Sequence, residues 1–373
     1  MKKFLLTVIL LFLFTTFSGA QNLWEKHEYL SLPVQHYVVY QTNEKIKIDG
    51  VPDESAWELA AWSVDFVDIE GSKKPVPEFR TRIKMLWDNS CLYILAELEE
   101  PHIWAYFDEH DQIIYHENDF EIFLDPDGDT HNYFEFELNA ANTLFDLFLT
   151  KPYRDGGIPL ITWDAPGFTS AVSISGTLNN PADSDKKWTI EMAIPFESLK
   201  LGLKSLVPAD GQIWKANFSR VQWQTDVFEG KYQKRKDKNT GLYLSENNWV
   251  WNPTGEINLH VPERWGMLQF SKSFVNSANN GTFERPQYEA LKKHLWLIYY
   301  KQQDFKLSNG MFATSLSSLS MPERVSDASG NKAKIEMLAT EIQFTALLKT
   351  GDGKVFIINE EGFLSEKINT IKP

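Results

Sequence analysis

The polar and apolar positions of this chain alternate along its first two thirds. TRIKMLW (81–87) alternates, passes through a DNS turn and resumes as LYILAEL (92–98). DFEIFL (119–124) leads through DPDGDT into NYFEFEL (132–138). Both read as antiparallel strand pairs joined by tight polar turns. AVSISGTL (171–178), WTIEMAI (188–194) and WKANFSRVQW (214–223) continue the period, and GMLQF (266–270) closes it. Many short strands with Asp/Gly/Pro turns predict a mainly β protein, a jelly-roll-like antiparallel β-sandwich. DESAWELA (53–60) predicts a short helix capped by Asp53 or Ser55 and anchored by Trp57. A second helical turn is expected over 195–203. No Gly-rich loop joins a strand to a helix, so no nucleotide fold is suggested.

The pattern changes near Ser271. SFVNSANNGT is small and polar, as a linker is. Leu291, Leu295, Ile298 and Tyr299 then recur at helical spacing, and Asn309-Gly310 stops the run. Residues 334–359 read as strands around a GDG turn. The expected organisation is a signal peptide (1–20), a lead segment (21–36), the sandwich (37–271), and a linker with a small C-terminal α+β extension (272–373) whose helix docks on a sheet. The signal peptide rests on Lys2 and Lys3, the apolar run from Leu5 to Phe14, and small Ser18, Gly19 and Ala20 before the cut. It predicts a secreted or periplasmic protein with no integral membrane segment once the leader is removed.

Charge narrows the partners. The chain has 37 Lys+Arg against 51 Asp+Glu, a net of -14, with no basic block. Nucleic acid and anionic lipid are therefore repelled, while neutral ligands remain open. Cys91 is the single cysteine, so no intrachain disulfide forms. Its position in a strand predicts a buried thiol.

Several constellations offer chemistry. Asp125, Asp127 and Asp129 alternate in the DPDGDT turn, an oxygen-rich loop suited to a metal such as calcium, or a plain solvated turn. Glu121, Glu135 and Glu137 are acidic positions on strands. Glu135 and Glu137 share a face by parity, readable as a solvated outer face, a ligand-bonding face, or the carboxylate pair of a glycoside hydrolase or lyase. His102, His110, His116 and His131 form no recognised zinc motif. NFSRVQWQ (217–224) and NNWVWNPTGEINLHVPERWG (247–266) concentrate Asn217, Arg220, Trp223, Trp249, Trp251 and His260. Indole faces stack on the apolar faces of sugar rings, while amide, guanidinium and carboxylate groups bond hydroxyls. Arg220 reads equally as a buried ion-pair residue with Asp119 or Glu121.

In this order, IKIDGVPDESAWELA (46–60), IKMLWDNSCLYILAEL (83–98), NDFEIFLDPDGDTHNYFEFELNA (118–140), WTIEMAIPFESL (188–199), NFSR and HVPERWG resemble the family 9 carbohydrate-binding modules. The variant found as stand-alone secreted proteins in Bacteroidetes is the most similar. The resemblance spans roughly residues 37–270. It implies a jelly-roll sandwich, structural calcium in some members, and glycan binding without hydrolysis between two Trp rings. Tyr115 falls where the first clamp Trp stands. Leu259, beside His260, falls at the second, with Trp251 nearby. The family's ligand-bonding Glu aligns with Glu121, and its Arg falls near Glu137, which reverses the charge. The expected mechanism is stacking by Tyr115 and Trp251, helped by Trp223, with polar contacts from Glu121, Asn217, Arg220 and His260 to an oligosaccharide or polysaccharide. An envelope protein that has lost sugar binding and engages a protein partner is the competing expectation.

Overall fold

The computed structural model describes residues 23–200, 207–277 and 281–367. The expected signal peptide, and residues 201–203 of the expected second helical turn, lie outside them. The strands are β1 (His36–Gln41), β2 (Val67–Asp68), β3 (Thr81–Trp87), β4 (Cys91–Glu99), β5 (Asp119–Asp125), β6 (Tyr133–Asn139) and β7 (Leu144–Leu149). Next come β8 (Pro159–Leu160), β9 (Thr169–Ser175), β10 (Lys187–Pro195), β11 (Ile213–Gln222), β12 (Thr225–Phe228), β13 (Lys231–Lys234), β14 (Asn247–Val250) and β15 (Gly266–Phe274). The main sheet runs β8-β7-β6-β5-β11-β15-β1-β3-β4-β10-β9, with β14 on β11 and β2 on β14. It doubles over, so the layer around β5, β6 and β11 faces the layer around β3, β4 and β10. This is the jelly-roll-like sandwich that the alternation predicts. β15 is not an edge: it lies between β11 and β1, and pairs parallel with β1.

Parity decides what fills the core. Ile83, Met85 and Trp87 on β3 meet Phe120, Ile122 and Leu124 on β5, and Phe134, Phe136 and Leu138 on β6, in one buried cluster. Trp251 belongs to that cluster and packs on Gly266, where a Cβ would lie 2.3 Å from the indole. Only glycine leaves room there. Helix α1 (Ser55–Leu59) seats Trp57 as expected, its Nε1 donating to Glu191 at 2.8 Å. Its cap differs from the expectation. Glu44, eleven residues upstream of Ser55, accepts from the Ser55 hydroxyl at 2.7 Å and the Ala56 N–H at 2.8 Å. The longer reach of Glu brings a distant carboxylate to the free N–H groups that Asp53 leaves unmet. Cys91 opens β4 half-buried rather than enclosed.

The C-terminal part is an α+β unit. Helix α2 (Glu289–Asn309) ends at Gly310 in the left-handed region and packs on a five-stranded sheet. That sheet is β16 (Arg324–Ser326), β17 (Lys332–Ala339), β18 (Phe344–Thr350), β19 (Val355–Asn359) and β20 (Leu364–Lys367). No helix among the described residues is long and apolar enough to cross a membrane.

A buried ion pair joins this unit to the sandwich. Arg154, on a short turn after β7, grips Glu263 through two parallel bonds of 2.9 and 3.0 Å. The Glu263 side chain is fully enclosed. From α2, Tyr300 donates to the same carboxylate and Tyr299 donates to Asp155 at 2.5 Å. Arg154 and Tyr300 hold the Glu263 carboxyl below its usual range against the opposing pull of burial. Removing one member of such a pair strands the other charge, at a cost of about 3–5 kcal/mol. Glu263→Ala is therefore expected to lower the unfolding free energy measured in urea by that order. Tyr300→Phe, which deletes one neutral donor, should cost only about 1 kcal/mol. Equal losses in the two variants would contradict a central role for the ion pair.

Candidate functional site

The outer face of the β5–β6–β7 layer carries an unusual set of side chains. Alternation that sends Phe120, Ile122 and Leu124 inward sends Asp119, Glu121 and Phe123 outward. Register then places Glu121 beside Glu137 on β6 and beside Ser219 on β11, and Phe123 beside Glu135. A solvated acidic face is the simple expectation for these groups, and the structure corrects it. Asp119 is 0 % exposed, Glu137 3 %, and Glu121 and Glu135 4 % each. Loops from three parts of the chain cover them, around residues 106–117, 153–161 and 246–260.

Between those loops lies a cleft of about 560 Å³. Glu121, Glu135 and Glu137 form its floor, with Glu246, Asn248 and Asn258 as further polar lining. Ile113, Ile161, Ile257 and Leu259 make apolar walls, and no Lys or Arg lines it. Two tyrosines stand on the rim, Tyr115 at 40 % exposure and Tyr153 at 45 %.

Both rim tyrosines are fixed from below. The Tyr115 N–H donates to Glu137 at 2.9 Å, and its carbonyl accepts from the Trp223 indole at 2.9 Å. Glu117 holds the start of the same loop by accepting the N–H groups of Tyr106 and Phe107. Tyr153 meets His260 edge-on, ring centroids 4.4 Å apart. His260 in turn contacts the Tyr133 hydroxyl at 3.0 Å. Burial, reinforced by Arg154, pushes the His260 imidazole down to about 4, so it is neutral at physiological pH.

The floor is electrostatically unbalanced. Burial pushes Glu121 up to about 7. Asp119, Glu135 and Glu137 are raised well above the usual carboxylate range by burial first and mutual repulsion second. One oxygen of each of Asp119, Glu121 and Glu135 is buried without a hydrogen-bond partner. Such atoms are costly unless something meets them. Asp119, Glu121 and Glu137 each bring an oxygen within 4.8 Å of the others, a group able to hold a cation.

The sequence-predicted residues divide. Tyr115, Glu121 and His260 line the cleft, whereas four others stand elsewhere. Trp251 is 1 % exposed in the sandwich core and offers no stacking face. Trp223 lies outside the lining, packed with Trp104, Val221 and Tyr232 beneath Lys234, and acts on Tyr115 only through its hydrogen bond. Asn217 is 0 % exposed and its amide braces Asn252. Arg220 is the buried ion-pair residue, but its partner is Glu100 at 2.9 Å rather than Asp119 or Glu121. Its parity puts it on the inner face, away from them. Tyr153 escaped the sequence reading. The only signal is the aromatic beside Arg154 in an otherwise polar loop.

The DPDGDT turn brings the carboxylates of Asp125, Asp127 and Asp129 together, within 4.8 Å of one another. Asp125 accepts the N–H groups of Gly128 and Thr130, and Asp129 accepts that of His131. Burial and neighbouring charge raise Asp125 and bring Asp129 to about 7. The all-oxygen donor set is of the kind that calcium takes.

The floor has a pH signature. Glu121 moves from 4.5 in the unfolded chain to about 7 in the fold. Between those values the folded protein holds the extra proton, so this contribution to stability falls as pH rises through the window. In Glu121→Gln, a neutral isostere, that fall is absent. The variant should match the wild type in Tm at pH 5 and exceed it by roughly 5 °C or more at pH 8, given about 1.4 kcal/mol per pH unit of window. A constant Tm difference across pH 5–8 would mean that Glu121 does not titrate there.

The family described as carbohydrate family 9 binding domain-like matches residues 48–269. Similar solved structures include a Bacteroides uniformis protein assigned to the carbohydrate-binding class (16% identity, TM-score 0.47), aligned over 64% of this chain and 100% of that one. A family 9 module from Caldicellulosiruptor kristjanssonii in complex with glucose aligns at 15% identity and TM-score 0.39, over 66% of this chain and 100% of the module. The same organism's module in complex with cellotriose aligns at 16% identity and TM-score 0.40, over 67% and 100%. No curated protein matches the chain. With more than half of its length matched, the chain belongs to the carbohydrate family 9 binding domain-like family, a non-catalytic class of carbohydrate-binding module.

Proposed function

We propose that the cleft over β5, β6 and β7 holds a short stretch of a neutral glycan, with Tyr115 and Tyr153 as its apolar platforms. The observation that carries this reading is the pairing of two exposed rim tyrosines with a floor of carboxylate oxygens that lack partners. Sugar hydroxyls are donors in the number such oxygens need, and sugar C–H faces suit flat aromatic rings. Asn248, Asn258 and His260 supply directional contacts at the far wall. Anionic sugars meet acidic groups and no Lys or Arg in the lining, and are disfavoured.

The floor argues against hydrolysis on physical grounds. Glu121 and Glu137 are cross-strand neighbours side by side on the floor and do not flank a bond between them, whereas glycoside cleavage needs two carboxyl groups on opposite sides of the scissile bond. The N-terminal pattern supports export, and we place the protein in the periplasm or outside the cell as a stand-alone module of the Bacteroidetes type, acting in polysaccharide utilisation. Calcium is assigned to Asp125, Asp127 and Asp129 as a structural ion, on their all-oxygen donor set.

The test is an immobilised panel of neutral and anionic glycans, probed with the wild type, Tyr115→Ala and Tyr153→Ala, with and without a calcium chelator. Micromolar to millimolar affinity for a neutral glycan is expected, because a small ligand buries little area and gives up water. Each substitution should weaken it by about tenfold or more, the equivalent of about 1.4 kcal/mol. Binding unchanged in both variants would remove the cleft from consideration. Failure of the folded protein to bind any glycan would favour the protein-interaction reading.

A further inference from the structure

A second polar group lies on the other side of β7 from the cleft. Asp146 points inward from β7, opposite Phe136, and is 1 % exposed. Its Oδ2 accepts the Ala165 N–H at 2.7 Å. Its Oδ1 is buried and has no hydrogen-bond partner. Two other segments aim at that oxygen. His110 and Asp111 come from the loop that later carries Tyr115, and Asp164 comes from the segment between β8 and β9. The His110 Nε2 stands 3.7 Å from Asp146 Oδ1, 3.4 Å from Asp111 Oδ1 and 2.8 Å from Asp164 Oδ1. The four ligand atoms all lie within 4.8 Å of one another. The Asp111 Oδ1 is likewise buried without a hydrogen-bond partner.

We propose that His110, Asp111, Asp146 and Asp164 form a binding site for one divalent transition metal of the zinc class. Metal–ligand bonds of about 2.0–2.1 Å in a tetrahedron set ligand atoms about 3.3–3.4 Å apart. The three distances from the imidazole nitrogen bracket that edge, and Asp164, the most exposed member, has room to adjust. Among the described residues no Lys or Arg pairs with any of the three carboxylates; their cationic partner is His110 when protonated, bonded to Asp164 at 2.8 Å, and a metal would take the place of that proton while meeting the unpartnered Asp146 and Asp111 oxygens. An imidazole among carboxylates selects a zinc-class ion over calcium or magnesium, which take oxygen. Four protein ligands make a closed, structural site. The sequence shows no zinc motif because the ligands come from three separate segments.

The metal would tie the loop bearing Ile113 and Tyr115, strand β7, and the segment after Ile161 into one unit, and all three border the glycan cleft. The site itself does not depend on the glycan reading, and its test reads metal directly. The full chain, stripped with a chelator and dialysed, is titrated with Zn²⁺ by calorimetry and with Co²⁺ by visible absorption. The expected result is one zinc equivalent that depends on His110, and a four-coordinate cobalt spectrum. His110→Ala and Asp164→Ala, both at exposed positions, should each weaken zinc binding by about tenfold or more. Glu341→Ala, an exposed carboxylate on the C-terminal unit, should leave it unchanged. No zinc uptake, or uptake of unchanged affinity in both His110→Ala and Asp164→Ala, overturns the proposal. If either variant fails to fold, the wild-type cobalt spectrum decides: nitrogen-and-oxygen four-coordination supports the site, and its absence overturns it.

Discussion

Burial of like charge on the outer face of β5 and β6 is the constraint around which this molecule is arranged. Register forces Glu121 and Glu137 side by side, with Glu135 next along the strand and Asp119 behind. In water four carboxylates at this spacing would repel modestly. Under loops they lose hydration as well, and each raised pKa records that cost. The covering loops offset part of it. Tyr115 gives its backbone N–H to Glu137, and, from the neighbouring strand β11, Ser219 places a hydroxyl beside Glu121. Of the oxygens left unmet, those of Glu121 and Glu135 belong to residues that line the cleft. A fold that leaves buried acceptors unpaired on the wall of an open cavity is strained toward a ligand, and this is where local rules are expected to yield to function.

The alternation along the chain carried the strands, because a period of two is written residue by residue and needs no distant information. It also identified which residues share a face: the pairing of Glu135 with Glu137, and their separation from Phe134 and Phe136, follow from parity alone. What parity does not contain is the cover. Whether an outward Glu meets water or a loop depends on segments elsewhere in the chain, as far off as residues 246–260. The same limit explains the aromatic residues. Trp249 and Trp251 sit in an irregular, Asn- and Pro-bearing stretch that reads as exposed, yet Gly266 opens a slot that draws Trp251 into the core. Arg220 belongs to the inner face by parity with Phe218. The pull of a basic residue beside acidic strands obscured that rule, and its charge is met by Glu100 across the sandwich.

The cleft is assembled from parts that fold for different reasons. Tyr115 is held by hydrogen bonds to its backbone, from the floor on one side and Trp223 on the other. Tyr153 is held through the chain itself, because its neighbours Arg154 and Asp155 are locked to Glu263 and to the two tyrosines of α2. The C-terminal unit thus braces one wall of the site without contributing a lining residue. The ion pair that does this joins residues 109 positions apart, so no local pattern announces it.

On the proposed function, the selectivity of the site lies in its floor. The aromatic rim is tolerant, since any sugar ring has an apolar face to offer. A buried carboxylate is not: ionised, it accepts only donors, and protonated, it offers one hydrogen in a fixed direction. By the resemblance, the family's arginine falls near Glu137, so the floor carries an acceptor where five donors would be expected. Glu137 thus gives that position of the floor an acceptor, or when protonated a single donor, in a cleft lined by no Lys or Arg.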